Sequence, residues 1–391
     1  MRSRARTVAA LVVALLAAGC VEVGGPGREA ERAEREAAGA ERAERGAEGA
    51  EREAAGAPGR ERQAARPGRR VIEPLPQESP SLLYMDGAEL RAVDLASGRT
   101  AALGKVAADG AMASPDGRWI AAVVPLEATG DARRDFVSRP ELRLLEVASG
   151  RQSRVGPGFS PLWAPDGRVL VYLRPLEPRV CSPESCSGDV EVVRLDIDSG
   201  RATVLLEAGR WGLLSWLGER VLVADAKRLD GALAVSPDGT ARRIELAPSE
   251  VWAGSPDGEW LIAVRAGRPE VLEVRAGALL SRATVLPTEG GILAEGSWAP
   301  DSSLVASVVL GGKGAGSRLM LFAPHEPILR AFHGLRGASG PVLWSRDGSL
   351  LVAVQDAGLR REVATCRVAE RSCAPLFSYA RDVALVGIAG G

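Results

Sequence analysis

A short turn sequence, in which a small residue and Pro-Asp-Gly lead into an apolar run, recurs along most of the chain. Successive copies lie about 45 residues apart, provided that a degenerate copy at 216–220 is counted midway through one double-length interval. That period is the length of one four-stranded propeller blade. The turn therefore predicts an all-β ring of such blades. The aspartates of the clear copies are Asp116, Asp166, Asp257, Asp301 and Asp347.

A second element, an apolar strand that ends in Ser-Gly-Arg, follows the first at 90–100, 142–152 and 192–202. It predicts a strand, a tight hairpin and another strand, because Gly supplies the positive φ that such turns need. In both elements Asp accepts N–H groups of the turn, so the repeated aspartates are interpreted as structural. The tryptophans that precede the first element are predicted to pack between neighbouring blades: Trp163, Trp216, Trp298 and Trp344.

These elements resemble the repeat of TolB-type, WD40-like β-propellers, which reads W-S-P-D-G-x-x-I/L-A/V, then a strand and D-x-x-(S/T)-G. WAPDGRVLVYL at 163–173 and WSRDGSLLVAV at 344–354 keep most of that pattern. The resemblance covers nearly all of the chain after residue 79. It implies the propeller fold and says little about function, because propellers serve many tasks.

The number of blades follows from the copies and the two ends. Three strands are predicted before the first copy, and one lone apolar strand follows the last blade at 379–389. We expect this strand to become the innermost strand of the first blade, which closes the ring and leaves no open edge. The prediction is a seven-bladed propeller over 79–391, with six or eight blades left open if an end is misread. Blades are predicted to begin near 108, 159, 211, 250, 294 and 338.

The first twenty residues resemble a bacterial lipoprotein signal. A basic start with Arg2, Arg4 and Arg6 precedes an apolar run at 8–18, small residues and Cys20. Ala17 stands where such signals usually have Leu. The resemblance implies a signal peptide over 1–19, lipidation of Cys20 and attachment at the periplasmic face or the outer membrane. Ordinary secretion, with Cys20 removed or left as a thiol, is the alternative.

Residues 20–78 have a different composition, dominated by Ala, Glu, Arg and Gly, and the heptapeptide EREAAGA occurs at 34–40 and 51–57. Almost no large apolar side chain is available there, so no core can form. The segment is predicted to be a disordered or partly helical tether.

Four further cysteines form two close pairs, Cys181 with Cys186 and Cys366 with Cys373. In an exported chain each pair predicts a disulfide. Their spacings do not match those of zinc sites. We therefore predict no bound metal and no cofactor.

Two connections are longer than the rest, at 125–140 and 174–189, and they belong to neighbouring blades on the same face of the ring. One interpretation is a binding ridge that contacts a protein or an envelope polymer. The other is insertion on a solvated rim, because surface loops accept extra length at little cost. The candidate ridge residues are Arg133, Arg134, Asp135, Arg139, Arg174 and Arg179.

The sequence contains no G-x-S-x-G, H-E-x-x-H or phosphate-loop motif, so no catalytic residue is predicted. The net charge of −1 gives no general attraction to nucleic acid. The predicted function is a non-catalytic binding or scaffold lipoprotein of the cell envelope, which meets the membrane through its lipid and binds another envelope protein or polymer. The alternative is an envelope hydrolase or lyase that uses carboxylates in the propeller channel.

Overall fold

The computed structural model describes a chain of β-strands, with no helix among the described residues. Those residues are 79–106, 108, 110–129, 136–177, 179–181, 186–225, 228–246, 251–265, 268–275, 278–285, 292–310, 316–335, 337–357, 360–379 and 383–389. The signal peptide and tether predicted for 1–78, including Cys20, lie outside them.

The strands follow one another along the chain as short antiparallel segments joined by turns. The strands up to residue 244 are β1 (Ser81–Asp86), β2 (Glu89–Asp94), β3 (Thr100–Lys105), β4 (Gly110–Ala113), β5 (Trp119–Thr129), β6 (Phe136–Glu146), β7 (Gln152–Pro157), β8 (Phe159–Trp163), β9 (Val169–Pro175), β10 (Arg179–Cys181), β11 (Cys186–Ser187), β12 (Val190–Asp196), β13 (Ala202–Gly209), β14 (Trp211–Leu217), β15 (Arg220–Asp225), β16 (Arg228–Val235) and β17 (Ala241–Ile244). The remaining strands are β18 (Val251–Gly254), β19 (Trp260–Arg265), β20 (Arg268–Arg275), β21 (Ala278–Val285), β22 (Ile292–Trp298), β23 (Val305–Leu310), β24 (Arg318–Ala323), β25 (Glu326–Ala331), β26 (Ala338–Trp344), β27 (Leu350–Ala357), β28 (Arg360–Arg367), β29 (Ser372–Tyr379) and β30 (Val383–Ala389).

These strands form seven antiparallel sheets, which are the seven blades. Blades 4 to 7 run in chain order from the innermost strand outward: β14 to β17, β18 to β21, β22 to β25 and β26 to β29. Blade 3 consists of β8, β9, β12 and β13, and blade 2 has β4 to β7 with two additional strands. The predicted seven-bladed propeller is therefore confirmed.

The ring closes as the sequence predicted. β30 pairs with β1, so the last strand completes a blade whose other members, β1 to β3, are the first strands of the chain. The innermost strands contact one another in an unbroken circuit from β30 through β4, β8, β14, β18, β22 and β26 back to β30. No edge is left open at the junction of the first and last blades.

The turn that contains the repeated aspartate joins the first and second strands of a blade. In blade 7 the Asp347 carboxylate accepts hydrogen bonds from the Ser345 hydroxyl at 2.6 Å and from the Ser349 N–H at 3.1 Å. These donors hold the pKa of Asp347 below its ordinary value. The equivalent carboxylates accept the N–H two residues further on, at 2.9 to 3.1 Å: Asp116, Asp166, Asp257 and Asp301.

The hydrophobic core is divided into seven clusters, one in each interface between neighbouring blades. The predicted tryptophans occupy four of these interfaces. Each donates its indole N–H to a carbonyl on the innermost strand of the preceding blade, as in Trp298 to Ala253 at 3.1 Å. The other three pairs are Trp163 to Met112, Trp216 to Leu162 and Trp344 to Ser297.

Glycine takes the tryptophan's place at the start of blade 5. Gly254 lies three residues before Asp257, as Trp298 lies three before Asp301. A Cβ at Gly254 would overlap the Trp216 carbonyl oxygen of blade 4. Nearby, a Cβ at Gly258 would lie 3.0 Å from the Cα of Gly218. Blades 4 and 5 therefore approach so closely that no side chain fits at residue 254.

Candidate functional site

The connection between β5 and β6, which the sequence predicted as a long loop, is largely strand. Beyond Pro125 and Pro140 the two strands continue to pair, with Ala128 opposite Ser138. Only 130–135 lie between their ends. The hairpin thus extends past the body of blade 2, toward the face that carries the second-to-third strand connections.

The long connection of blade 3 joins this hairpin through main-chain pairing. β10 runs antiparallel to β6, with Arg179 opposite Ser138 and Cys181 opposite Phe136, and β11 pairs with β10. The strand order is β5-β6-β10-β11. We call this unit, made of 125–129, 136–140, 179–181 and 186–187, the outer sheet extension. Two neighbouring blades build it together.

The structure assembles only part of the predicted ridge. Arg133, Arg134 and Asp135 lie outside the described residues. Arg139 belongs to β6 and Arg179 begins β10, so the backbones of both lie in the outer sheet extension.

Arg174, by contrast, lies in β9 within the body of blade 3. Its guanidinium binds the Glu191 carboxylate, with Nε and Nη2 at 2.7 and 2.6 Å from Oε2. Because this half-buried arginine has a carboxylate partner in its own blade, it serves blade 3 rather than an open binding surface.

In each cysteine pair, the two residues lie opposite each other on neighbouring antiparallel strands. Cys366 and Cys373 are register partners on β28 and β29, and their sulfurs are bonded at 2.05 Å. Cys181 and Cys186 are register partners on β10 and β11. Their side chains lie outside what the structure describes, so a disulfide in the outer sheet extension stays a prediction.

At the base of the outer sheet extension lies a charged cluster that the sequence analysis missed. The Glu141 side chain is only 3% exposed. It accepts a hydrogen bond from Nε of Arg143 at 2.7 Å and forms an ion pair with Arg154, whose Nε lies 2.5 Å from Oε2. These residues line a shallow groove of about 360 Å³ together with Gln152 and Ser153. A sequence indication was present: Glu141 and Arg143 occupy one face of a strand whose other face, with Leu142 and Leu144, is buried.

The innermost strands, which surround the propeller axis, carry almost no ionisable side chain. Across all seven, Glu295 of β22 is the one acidic or basic residue. Among the described residues, no three His, Cys, Asp or Glu side chains come together as a metal site would require. In the same part of the chain, no helix has the length and apolarity to cross a bilayer.

The fold defines the class of the protein as a seven-bladed β-propeller. No protein-family model and no curated protein matches the sequence. The comparisons that follow are therefore with solved structures.

Three of the similar solved structures come from different organisms. TolB from Acinetobacter baumannii has a TM-score of 0.45 at 14% identity, and the match covers 80% of this chain and 66% of that one. A putative 6-phosphogluconolactonase from Bacteroides uniformis has a TM-score of 0.51 at 15% identity, over 79% of this chain and all of that one. The propeller domain of the Trilobed protease from Pyrococcus furiosus, reported to have an open velcro topology, scores 0.51 at 14% identity over 79% and 98%. At such identities the similarity establishes the fold alone.

Proposed function

We propose that this protein is a non-catalytic binding or scaffold module of the bacterial cell envelope, with the outer sheet extension as its contact surface. The observation that carries the proposal is the pairing of β6 with β10. An insertion tolerated on a rim needs no partner. Two insertions from different blades that share main-chain hydrogen bonds form one preorganised surface, and preorganisation reduces the ordering cost of binding.

The proposed location follows from the N-terminal sequence. Lipidation of Cys20 would anchor the chain at the periplasmic face or the outer membrane. A tether of about fifty residues would let the propeller reach roughly 40 Å from the membrane surface. The partner in this proposal is another envelope protein or an envelope polymer.

The alternative function is a hydrolase or lyase with channel carboxylates. Acid–base chemistry of that kind usually needs two positioned groups. The innermost strands supply a single carboxylate, that of Glu295. The similarity to a putative lactonase and to a protease domain concerns the fold and not the chemistry.

The test of the contact surface is cross-linking followed by affinity capture from the native envelope. Replacing Arg133, Arg134 and Arg179 together by Ala should remove the partner captured by the unaltered chain. The matched control replaces Arg99, Arg118 and Arg168, exposed arginines in the turns of the opposite face, and should leave capture unchanged. An identical set of partners for both triple variants would refute the proposed surface.

A separate experiment tests the anchor. A Cys20→Ala variant should move from the membrane fraction to the soluble fraction after cell lysis, because the lipid attachment site is gone. Persistent membrane association of this variant would contradict lipidation while leaving the binding proposal open to its own test.

A further inference from the structure

The Glu141 cluster differs in its charge balance from the ion pairs of Arg174 and Arg91. Arg174 meets the carboxylate of Glu191, and Arg91 meets two carboxylates, those of Asp86 and Glu89. Here two arginines share one carboxylate. The cluster therefore carries a net positive charge, and a bound monoanion would make it neutral.

Glu141 holds both guanidiniums by their Nε atoms. Its Oε1 accepts a hydrogen bond from Arg143 and its Oε2 forms an ion pair with Arg154, so neither arginine uses more than one of its five N–H donors on this carboxylate. Within the described part of the chain, neither guanidinium has another hydrogen bond or ion pair. The Nη donors of two oriented arginines thus remain available to a ligand.

The surroundings leave room for such a ligand. The Arg154 side chain is 68% exposed and that of Arg143 is 37% exposed, whereas Glu141 is buried beneath them. The groove that they line adds the Gln152 amide and the Ser153 hydroxyl, which are further neutral hydrogen-bonding groups. Paired guanidiniums bind carboxylate and phosphate oxygens well, because their planar N–H forks match the geometry of these groups.

We propose that Arg143 and Arg154, oriented by Glu141, form a binding site for one oxyanion group, a carboxylate or a phosphate, of a small soluble ligand. Arg143 and Arg154 contact the anion, and Glu141 acts as a positioning residue. The site lies at the base of the outer sheet extension but does not depend on the function proposed for that surface.

The test uses the full chain labelled with ¹⁵N-arginine, titrated separately with inorganic phosphate and with acetate at constant ionic strength. We expect the Nε–H resonances of Arg143 and Arg154 to shift along a saturable curve. Saturation with only one probe would identify phosphate or carboxylate as the ligand group. Shifts that grow without saturation, or that are equal at all arginines, would overturn the site.

Single substitutions separate binding from general electrostatics. Arg143→Ala and Arg154→Ala should each raise the dissociation constant of the anion about tenfold, as expected for the loss of a charge-assisted hydrogen bond. Arg151→Ala removes a 70% exposed arginine from the same hairpin and should change it less than about twofold. Equal effects of all three substitutions would contradict a built site.

Glu141→Gln tests the positioning role, because it removes a negative charge while it turns an N–H group toward one guanidinium. Charge alone predicts tighter anion binding in this variant. Loss of guanidinium orientation predicts weaker binding and a loss of the distinct Nε–H shifts of Arg143 and Arg154 in the free protein. Tighter binding with unchanged Nε–H shifts would overturn the role of Glu141.

Discussion

Two neighbouring blade interfaces differ at equivalent positions of the repeat. A tryptophan lies between blades 5 and 6, whereas a glycine lies between blades 4 and 5. At the first, the Trp298 indole fills the space and donates to the Ala253 carbonyl of the preceding blade. At the second, Gly254 leaves no space, and its own N–H donates to the Ser215 hydroxyl of the preceding blade at 2.9 Å. The repeat therefore determines where each blade begins. The distance between two blades depends on the residue three positions before the repeated aspartate.

Removing the Trp298 indole should have the largest effect on stability. Trp298→Ala should lower the free energy of unfolding by about 3 to 5 kcal/mol, because a large buried side chain and its hydrogen bond are both lost. Urea unfolding followed by Trp260 and the other remaining tryptophans measures this change. A loss below about 1 kcal/mol would mean that blades 5 and 6 close the gap by moving together.

Adding a side chain at the close interface should have the next largest effect. Gly254→Ala should cost about 2 kcal/mol, because the new Cβ overlaps the Trp216 carbonyl oxygen and the blades must separate. Gly212→Ala is the matched control on the innermost strand of blade 4, where a Cβ would meet Ala224 at an ordinary 3.8 Å. The same urea experiment should find the control nearly unchanged, and equal losses would refute the asymmetry between interfaces.

The hydrogen bond that replaces the indole contact should contribute less. Ser215→Ala should cost about 1 kcal/mol, because the Gly254 N–H loses its acceptor at a blade interface. Ser153→Ala removes an exposed hydroxyl on the outer strand of blade 2, whose hydrogen bond to the Leu144 carbonyl is long at 3.5 Å, and should change stability by less than about 0.5 kcal/mol. Indistinguishable values for the two variants would show that water replaces the Ser215 contact.

The smallest expected effect on stability concerns the turn that follows Trp344, between the first two strands of blade 7. Asp347, three residues after Trp344, has a folded pKa below its ordinary value of 3.8, chiefly because the Ser345 hydroxyl donates to it. Its stabilising contribution is thus present above the unfolded pKa and is lost as the pH falls through the folded pKa.

Asp347→Asn should therefore flatten the decline of the unfolding free energy below about pH 4. Ser345→Ala should reproduce part of this change, since it removes the main donor to the carboxylate. Urea midpoints measured between neutral pH and acid give the comparison, and a slope identical to that of the unaltered chain would contradict it.

The sequence predicted the fold well because its determinants are local. Predicted blade starts near 211 and 338 coincide with Trp211 and Ala338, and the first blade of the repeat, expected near 108, begins at Gly110. Even the degenerate copy at 216–220 marks a true turn, since Gly218 has a φ of +60°. Closure by the strand at 383–389 followed from counting strands.

The candidate sites were predicted less well because they depend on contacts between distant segments. Alternating residues indicate a strand but not its partner, so nothing local marked 136–138 and 179–181 as neighbours. The burial of Glu141 likewise arises from the packing of blade 2 and not from its sequence neighbours. Arg174, which looked exposed in sequence, gained its partner Glu191 through strand register.

The pairing of β30 with β1 sets an order of events during biosynthesis. Until residues 383–389 have been made, blade 1 has three strands, and β1 presents its backbone N–H and C=O groups on an unprotected edge. Leu82 and Leu83 are fully buried in the finished ring, and their backbones pair with the same strand. A nascent chain therefore carries an unpaired strand edge until β30 has been made, and chains truncated before residue 383 would be prone to aggregation.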